Sequence, residues 1–495
     1  MSRKPSLATL SLTLALAVSP WLGGCAVGPR YQAPAAATAP AWHAPLPHDG
    51  HTQTMTQWWA QFQDPALTRL IGWAEADSPS LTQAWASIDK ARATLSSTRA
   101  GALPSMTGSA SATRSKQQLT TDQVMISTTQ TASLDASWEI DLFGKLRRNA
   151  EAASARVDAR VADWHEARTS LAAEVADTYV QYRACGLLAD VYERELKSTT
   201  ATDTATATMV RAGLSAPADG ALARASLASS RSSAVQQRAQ CALLLKSLVY
   251  LTGHDEPDLL AAMAATGQGI PTPSGLQVDS VPAQVLRQRP DLSALERELA
   301  ATSAEIGAAQ ADLYPSLTLS GSIGRSLVDG GGAYSTWSFG PQLSLPIFDA
   351  GRRQAAVSSA EASYTSALAS YKQGVRSAVK EVEQALVNLD STVQRADDAH
   401  RANEAYRSYF NATEASWRAG SKSLLELEEA RRSALSAEIQ DITLQQNQVS
   451  YWIALYKALG GGWSPGAPAL SPTELSTQLP ITAPQAAHDA TGAQP

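Results

Sequence analysis

The sequence predicts a mainly helical chain that carries two pairs of membrane-type β-strands, built from one plan used twice. Three observations predict it. Leu103-Pro104-Ser105 and Leu313-Tyr314-Pro315-Ser316 each open a stretch of period-two residues. The stretches close near Leu142-Phe143-Gly144-Lys145 and Ile347-Phe348-Asp349-Ala350-Gly351-Arg352, and a very long Ala-rich helical run follows each. Deep in the two runs stand matching tripeptides, Arg211-Ala212-Gly213 and Arg418-Ala419-Gly420. A repeat on this scale sets the architecture before any single residue does.

At the start of the chain, Arg3 and Lys4 precede an apolar run from Leu7 to Val18, then Leu22-Gly23-Gly24-Cys25. A charged beginning, a short apolar core and a small-residue cleavage site make residues 1–24 a secretory signal. The run is too short for a spanning helix. A Cys directly after Leu-Gly-Gly resembles a bacterial lipobox, which implies that Cys25 becomes the acylated first residue, bearing diacylglycerol and an N-acyl chain. The alternative is an ordinary cleaved signal with a chance Cys. Two or more acyl chains, at about 0.8 kcal/mol per buried methylene, anchor stably. Ala26 rather than Asp after the Cys reads as an outer-membrane address.

Cleavage removes Arg3 and Lys4 and no acid, leaving 38 basic against 46 acidic residues, a net charge of −8. That balance argues against nucleic acid as a partner. Beyond Cys25 only Cys185 and Cys241 remain, both within helical patterns. They read as two small buried apolar side chains, with a disulfide between adjacent helices as the alternative.

Residues 25–56, rich in Pro and Ala, read as an extended tether. Trp58, Trp59 and Phe62 lead into a first helix, with Asp64 as N-cap and Pro65 at the first helical position; the pattern stays helical to Gly101. In Thr131–Leu142 alternation is complete, with Ala132, Leu134, Ala136, Trp138, Ile140 and Leu142 on one side. Ser105–Thr113 alternates more weakly. In the second repeat Leu317, Leu319, Gly321 and Ile323, then Trp337, Phe339, Leu343, Leu345 and Ile347, do the same around a turn at Asp329-Gly330-Gly331-Gly332. Helical runs fill 146–211, 216–251, 281–312, 352–419 and 423–459. Sixty-odd residues at 1.5 Å rise make roughly 100 Å of helix, which needs neighbours along its whole length. Val375, Val379, Val382, Leu386, Leu389 and Val393 form a heptad seam, as do Ile439, Ile442, Gln446, Val449, Ile453 and Tyr456. The expected division is a first repeat at 57–270, a second at 271–462 and an unstructured tail at 463–495. Within the repeats, strands fall at about 103–142 and 316–347, and helical hairpins at about 145–252 and 350–460.

Four strands cannot span lipid as an open sheet, because every backbone amide there must be paired. Membrane barrels start at about eight strands. Copies of the chain must therefore pool strands, and three copies make a twelve-stranded barrel. A soluble β-sandwich is the alternative for alternation alone.

Several co-linear segments carry a resemblance covering most of the chain from Cys25 to Gly462. They are Cys25-Ala26-Val27-Gly28-Pro29-Arg30-Tyr31 with Pro34, Trp58-Trp59 through Leu70-Ile71, Arg289-Pro290-Asp291-Leu292 with Glu296, and Tyr314-Pro315-Ser316-Leu317. Pro341, Leu343, Pro346-Ile347-Phe348-Asp349 and Gly351-Arg352 complete them. Together they resemble the TolC-type outer-membrane efflux channels, in their NodT-type lipoprotein branch. The resemblance implies a homotrimer in the outer membrane of a Gram-negative bacterium, with a shared β-barrel on an α-helical periplasmic tunnel. It implies partners too: a periplasmic membrane-fusion adaptor and an inner-membrane RND-type transporter. The implied role is a passive exit duct for drugs or other small molecules. An exit duct for type I protein secretion is the alternative within the family, against which the lipobox and Tyr31-x-x-Pro34 weigh. A non-conducting periplasmic coiled-coil lipoprotein is the alternative outside it.

By the same resemblance, the hairpin turns Arg211-Ala212-Gly213-Leu214-Ser215 and Arg418-Ala419-Gly420-Ser421 dock the adaptor. Glu426 and Glu429 form the narrowest rings of a periplasmic gate, and Asp219, Trp417 and Lys422 the links that hold it shut. The family usually carries Asp at the ring positions and Tyr and Arg at the links, so Glu, Trp and Lys depart from it. Six Glu in one constriction would raise one another's pKa and favour cations. Read without the family, Glu426, Glu428 and Glu429 form a solvated helix face pairing with Arg431 and Arg432. No catalytic pattern emerges. His165-Glu166 begins a zincin motif, but position 169 is Thr; the glycines at 330–332 lack the Lys of a phosphate loop; no cofactor, metal or enzyme activity is expected.

Overall fold

The computed structural model describes residues 26–34, 44, 55–120, 123–267, 269–273 and 288–477. Cys25, the signal, and tether residues 35–43 and 45–54 lie outside them, so the expected lipid attachment does as well. A 3₁₀ helix, Met55–Phe62, leads into α1 (Pro65–Ala76) and α2 (Pro79–Ala100). Strands β1 (Ser105–Thr120) and β2 (Gln123–Ile140) follow, then α3 (Lys145–Arg211), α4 (Pro217–Thr252) and α5 (Glu256–Ala264). The second repeat is α6 (Pro290–Ala311), β3 (Ser316–Val328), β4 (Gly332–Ser344), α7 (Arg352–Arg418) and α8 (Leu424–Ala458), with α9 (Pro472–Thr477) behind it.

Three expectations about where elements begin and end need correction. The helix foreseen from Asp64 to Gly101 is two helices, because Pro79 cannot donate within a helix and Ser78 starts a new one, its hydroxyl accepting from the Leu81 amide at 3.3 Å. The helix foreseen from Val281 begins at Pro290, after a non-helical Gln288-Arg289; residues 281–287 lie outside the described residues. The tail foreseen as unstructured from 463 is ordered to Thr477: the Ala467 carbonyl lies 3.0 Å from His165 Nε2, and Leu475 is buried.

The chain divides into two units, each with its own packing. One contains Ala86–Ala162 and Leu292–Gly374 with the N-terminal residues, and so holds the whole sheet. Here α3 meets α6 through small side chains, Ala152 against Ala301 and Ala304, and Arg156 bridges Glu298 at 3.2 Å and Glu305 at 2.7 Å. Residues 26–34 are pinned rather than free. The Val27 amide donates to the Phe143 carbonyl at 3.1 Å, Arg148 Nε to the Val27 carbonyl at 3.2 Å, and the Tyr31 hydroxyl to Glu296 at 2.9 Å.

The second unit contains Ala37–Trp85, Asp163–Asp291 and Val375–Pro495. Asp64 caps α1, accepting from the Ala66 and Leu67 amides at 2.9 and 3.1 Å. Its other oxygen accepts from Tyr179, whose hydroxyl in turn accepts from Arg183 Nε, each at 2.8 Å. Trp58 and Trp59 pack on Tyr456 with ring centroids 5.0 and 4.7 Å away. The α7 seam is buried at Val375, Val382, Leu386 and Leu389 but surfaces at Val393. Cys185 on α3 and Cys241 on α4 are joined by a disulfide, which corrects their reading as two free apolar side chains.

Candidate functional site: the open sheet and the hairpin turns

The four strands form one antiparallel meander in the order β1-β2-β3-β4, so the repeats join at the β2–β3 pair. Directly opposed residues share a face. The register stacks Met106, Ala136, Gly321 and Phe339 in one row, and Gly108, Leu134, Ile323 and Trp337 in another. That face is therefore apolar across all four strands in these rows, and the next row on it, Ala110, Ala132, Arg325 and Ser335, brings in the first charge. The opposite face is a hydroxyl ladder, with Ser109–Ser133 at 2.9 Å, Ser111–Thr131 at 2.8 Å and Ser322–Ser338 at 2.9 Å.

Among the described residues no other element covers either face. Trp337, Phe339 and Leu343 are 80, 71 and 66% exposed, far more than water tolerates in a continuous patch. β1 and β4 are both unpaired edges. With 13 to 18 residues, every strand exceeds the roughly 9–11 that a tilted membrane strand needs. Among the described residues no helix is long and apolar enough to cross a membrane.

The two turns at the far ends of the helical hairpins are built alike. Gly213 (φ +72°) and Gly420 (φ +76°) take the left-handed conformation that closes a helix and that side-chain-bearing residues resist. After each Gly the next amide reaches back five residues, Leu214 to Met209 at 2.8 Å and Ser421 to Ser416 at 2.9 Å. Arg211, Ala212 and Arg418, Ala419 complete the turns.

Six residues past each Gly sits the carboxylate singled out from sequence, and both cap the returning helix. Asp219 accepts from the Ser215 hydroxyl at 2.6 Å and the Ala216 amide at 3.3 Å. Glu426 accepts from the Ser423 amide and hydroxyl, each at 2.9 Å, while the Glu426 amide donates to the Ser423 hydroxyl at 3.2 Å. Lys422 adds an ion pair to Glu426 at 2.5 Å. Within the single chain that amine, with the Ser423 donors, holds the Glu426 carboxyl down to about 2. Trp417 packs with Phe410 and Leu222 on a small core of Ala223, Leu424 and Leu427.

Glu429 is exposed, but Glu428 is not. Glu428 and Arg431 are 7 and 2% exposed and paired, so the solvated-face reading fails for them. The sequence signal for this burial was slight, since an i,i+3 pair looks the same wet or dry. The disulfide did leave a signal: Cys185 and Cys241 each stand 28 residues from Gly213 (213−185 and 241−213), and residues equidistant from the turn of an antiparallel hairpin face each other.

Comparison with known proteins agrees with this geometry. The family model described as "Outer membrane efflux protein" matches residues 70–254 and 281–461. "Nodulation protein T" of Rhizobium leguminosarum bv. trifolii is 31% identical over 90% of this chain and 97% of its own. "Outer membrane protein OprJ" of Pseudomonas aeruginosa is 31% identical over 94% of this chain and 98% of its own. Among solved structures, the outer-membrane channel OprN superposes with a TM-score of 0.79 at 32% identity, covering 89% of this chain and all of that one. With its repeated strand pairs, long hairpins and matched turns, this chain belongs to the outer membrane efflux protein family.

Proposed function

We propose that this protein is the outer-membrane exit duct of a tripartite efflux pump, passively conducting drugs or other small molecules. The observation that carries the reading is the four-stranded sheet with an apolar face, a hydroxyl face and two unpaired edges. Lipid solves the first, a water-filled lumen the second, and identical copies the third. Three chains close a twelve-stranded barrel with lipid on the Trp337 side and water on the Ser322 side. The disposition of OprJ and OprN as outer-membrane proteins supports the same location.

In this reading Cys25 carries the lipid anchor, and the hairpins extend into the periplasm. There the turns at Arg211–Ser215 and Arg418–Ser421 receive a membrane-fusion adaptor that couples the duct to an inner-membrane RND-type transporter. Asp219, Trp417, Lys422, Glu426 and Glu429 constitute the periplasmic gate, with Glu426 and Glu429 at its narrowest rings. The experiment is chemical cross-linking of the purified protein with planar-bilayer recording. Trimers that conduct ions support the duct; a monomer without conductance under every condition refutes it.

A further inference from the structure

Arg431 on α8 is the most deeply buried cation near the turns, its side chain 3% exposed, and it faces two carboxylates rather than one. Glu428 takes Nη1, and the Thr202 hydroxyl of α3 accepts from Nη2 at 2.7 Å. Glu195, also on α3, stops 4.0 Å from Arg431 Nε, which is left without a hydrogen-bond partner. The Ser230 hydroxyl of α4 reaches Glu195 at 3.4 Å. Phe410 of α7 closes the cluster, with the guanidinium carbon 5.7 Å from its ring centre.

Burial of two acids with one base leaves one negative charge unbalanced, which is costly in a dry interior. Glu428 holds the better geometry, so Glu195 bears that cost. Its side chain is only 14% exposed. Desolvation pushes its carboxyl from the ordinary 4.5 up to about 7; Arg431 pulls the other way, Glu428 adds to the rise, and Ser230 offsets a little. The other charged and titratable groups facing this region come from every helix packed on it except α4, which presents hydroxyls. They are Tyr192, Asp190 and Arg194 on α3, Arg407 on α7, and Arg432 and Glu438 on α8. Arg194 and Arg407 are both spent on Glu438, at 2.6 and 2.5 Å, so neither is available to neutralise Glu195.

We propose that Glu195, Glu428 and Arg431 form a proton-sensitive clasp between the two hairpins, drawing α8 onto α3 when Glu195 is protonated and slackening when it ionises. The clasp lies eight residues past Gly420 at Glu428, about 12 Å of helix rise from the turn. Its consequence for conduction rests on the exit-duct reading; its existence does not. The sign follows from linkage. The packed state binds the Glu195 proton more tightly than the loosened state, so packing is favoured in acid and weakens as pH rises from about 4.5 to about 7.

The test is hydrogen exchange on the full chain in detergent micelles between about pH 5 and 8, corrected for intrinsic exchange rates. In the wild type, protection of Leu424–Arg431 should fall more than tenfold as pH rises from about 5 to about 7 and level off above that. Glu195→Gln should hold its protection throughout. Glu428→Gln, which hands Arg431 to Glu195, should end the decline at lower pH. A pH-independent wild type, or a Glu195→Gln profile like the wild type, overturns the clasp. Absent conductance with the exchange profile intact would overturn the duct reading and support the clasp.

Discussion

The disulfide gives the most direct quantitative prediction. Cys185 and Cys241 close a loop with a sequence separation of 56. The chain-entropy relation for a loop of that length gives about 4 kcal/mol of stabilisation relative to the open chain. The bond ties α3 to α4, within the first hairpin. Replacing both residues, Cys185→Ser with Cys241→Ser, should cost the second unit up to this amount. With a guanidinium m-value of about 4 kcal/mol/M, the unfolding midpoint falls by about 1 M. The assay is equilibrium unfolding of oxidised, reduced and doubly substituted protein in the same detergent, with non-reducing electrophoresis confirming the bond. Reduced wild type and the double variant should coincide, both below the oxidised protein. Identical midpoints for oxidised and reduced forms would refute the reasoning, because the constraint would then not act on the unfolded chain.

Other expectations follow from the same geometry. In the proposed barrel, Trp337→Arg places a cation on the lipid-facing side and should cost about 2–4 kcal/mol at mid-membrane; Ser322→Arg on the hydroxyl face should cost far less, read by urea unfolding in lipid vesicles. Ser423→Ala removes a helix cap worth about 1 kcal/mol and should raise the exchange rates of the first amides of α8. Because Glu426 is held down to about 2, its capping contribution is present above about 4.5 and lost as pH falls toward 2; protease nicking at Ser421–Leu425 should increase over that interval and stay flat in Glu426→Gln. Joint Glu426→Gln and Glu429→Gln substitution should weaken block by multivalent cations in bilayer recordings, and unchanged block would remove both from the gate.

Much of the fold was legible because its signals are local. Long helical runs without an internal proline gave α3, α4, α7 and α8 to within a residue or so at most ends, and Gly213 and Gly420 marked both turns. Strict alternation in Thr131–Leu142 located the core of β2. The first residues of β2, from Gln123, fell within the strand region but without a readable face, because Thr128 and Gln130 interrupt the apolar parity begun by Val124 and Ile126. What remained hidden depends on a partner distant in sequence. Glu428 looked solvated until Thr202 and Glu195 enclosed Arg431. The capping contacts of Glu426 with Ser423 and its ion pair with Lys422 were likewise not read from the sequence. The ordered segment after Gly462 is held by His165, some three hundred residues away in sequence.

The sheet has a further consequence for how a cell must make this protein. A solitary chain has nowhere to hide four greasy, sticky ribbons between synthesis and the bilayer, and any early zippering of β1 or β4 onto a stranger would be a dead end. In the exit-duct reading, escort through the aqueous compartment, meeting of sister chains and entry into lipid therefore belong to one event rather than three.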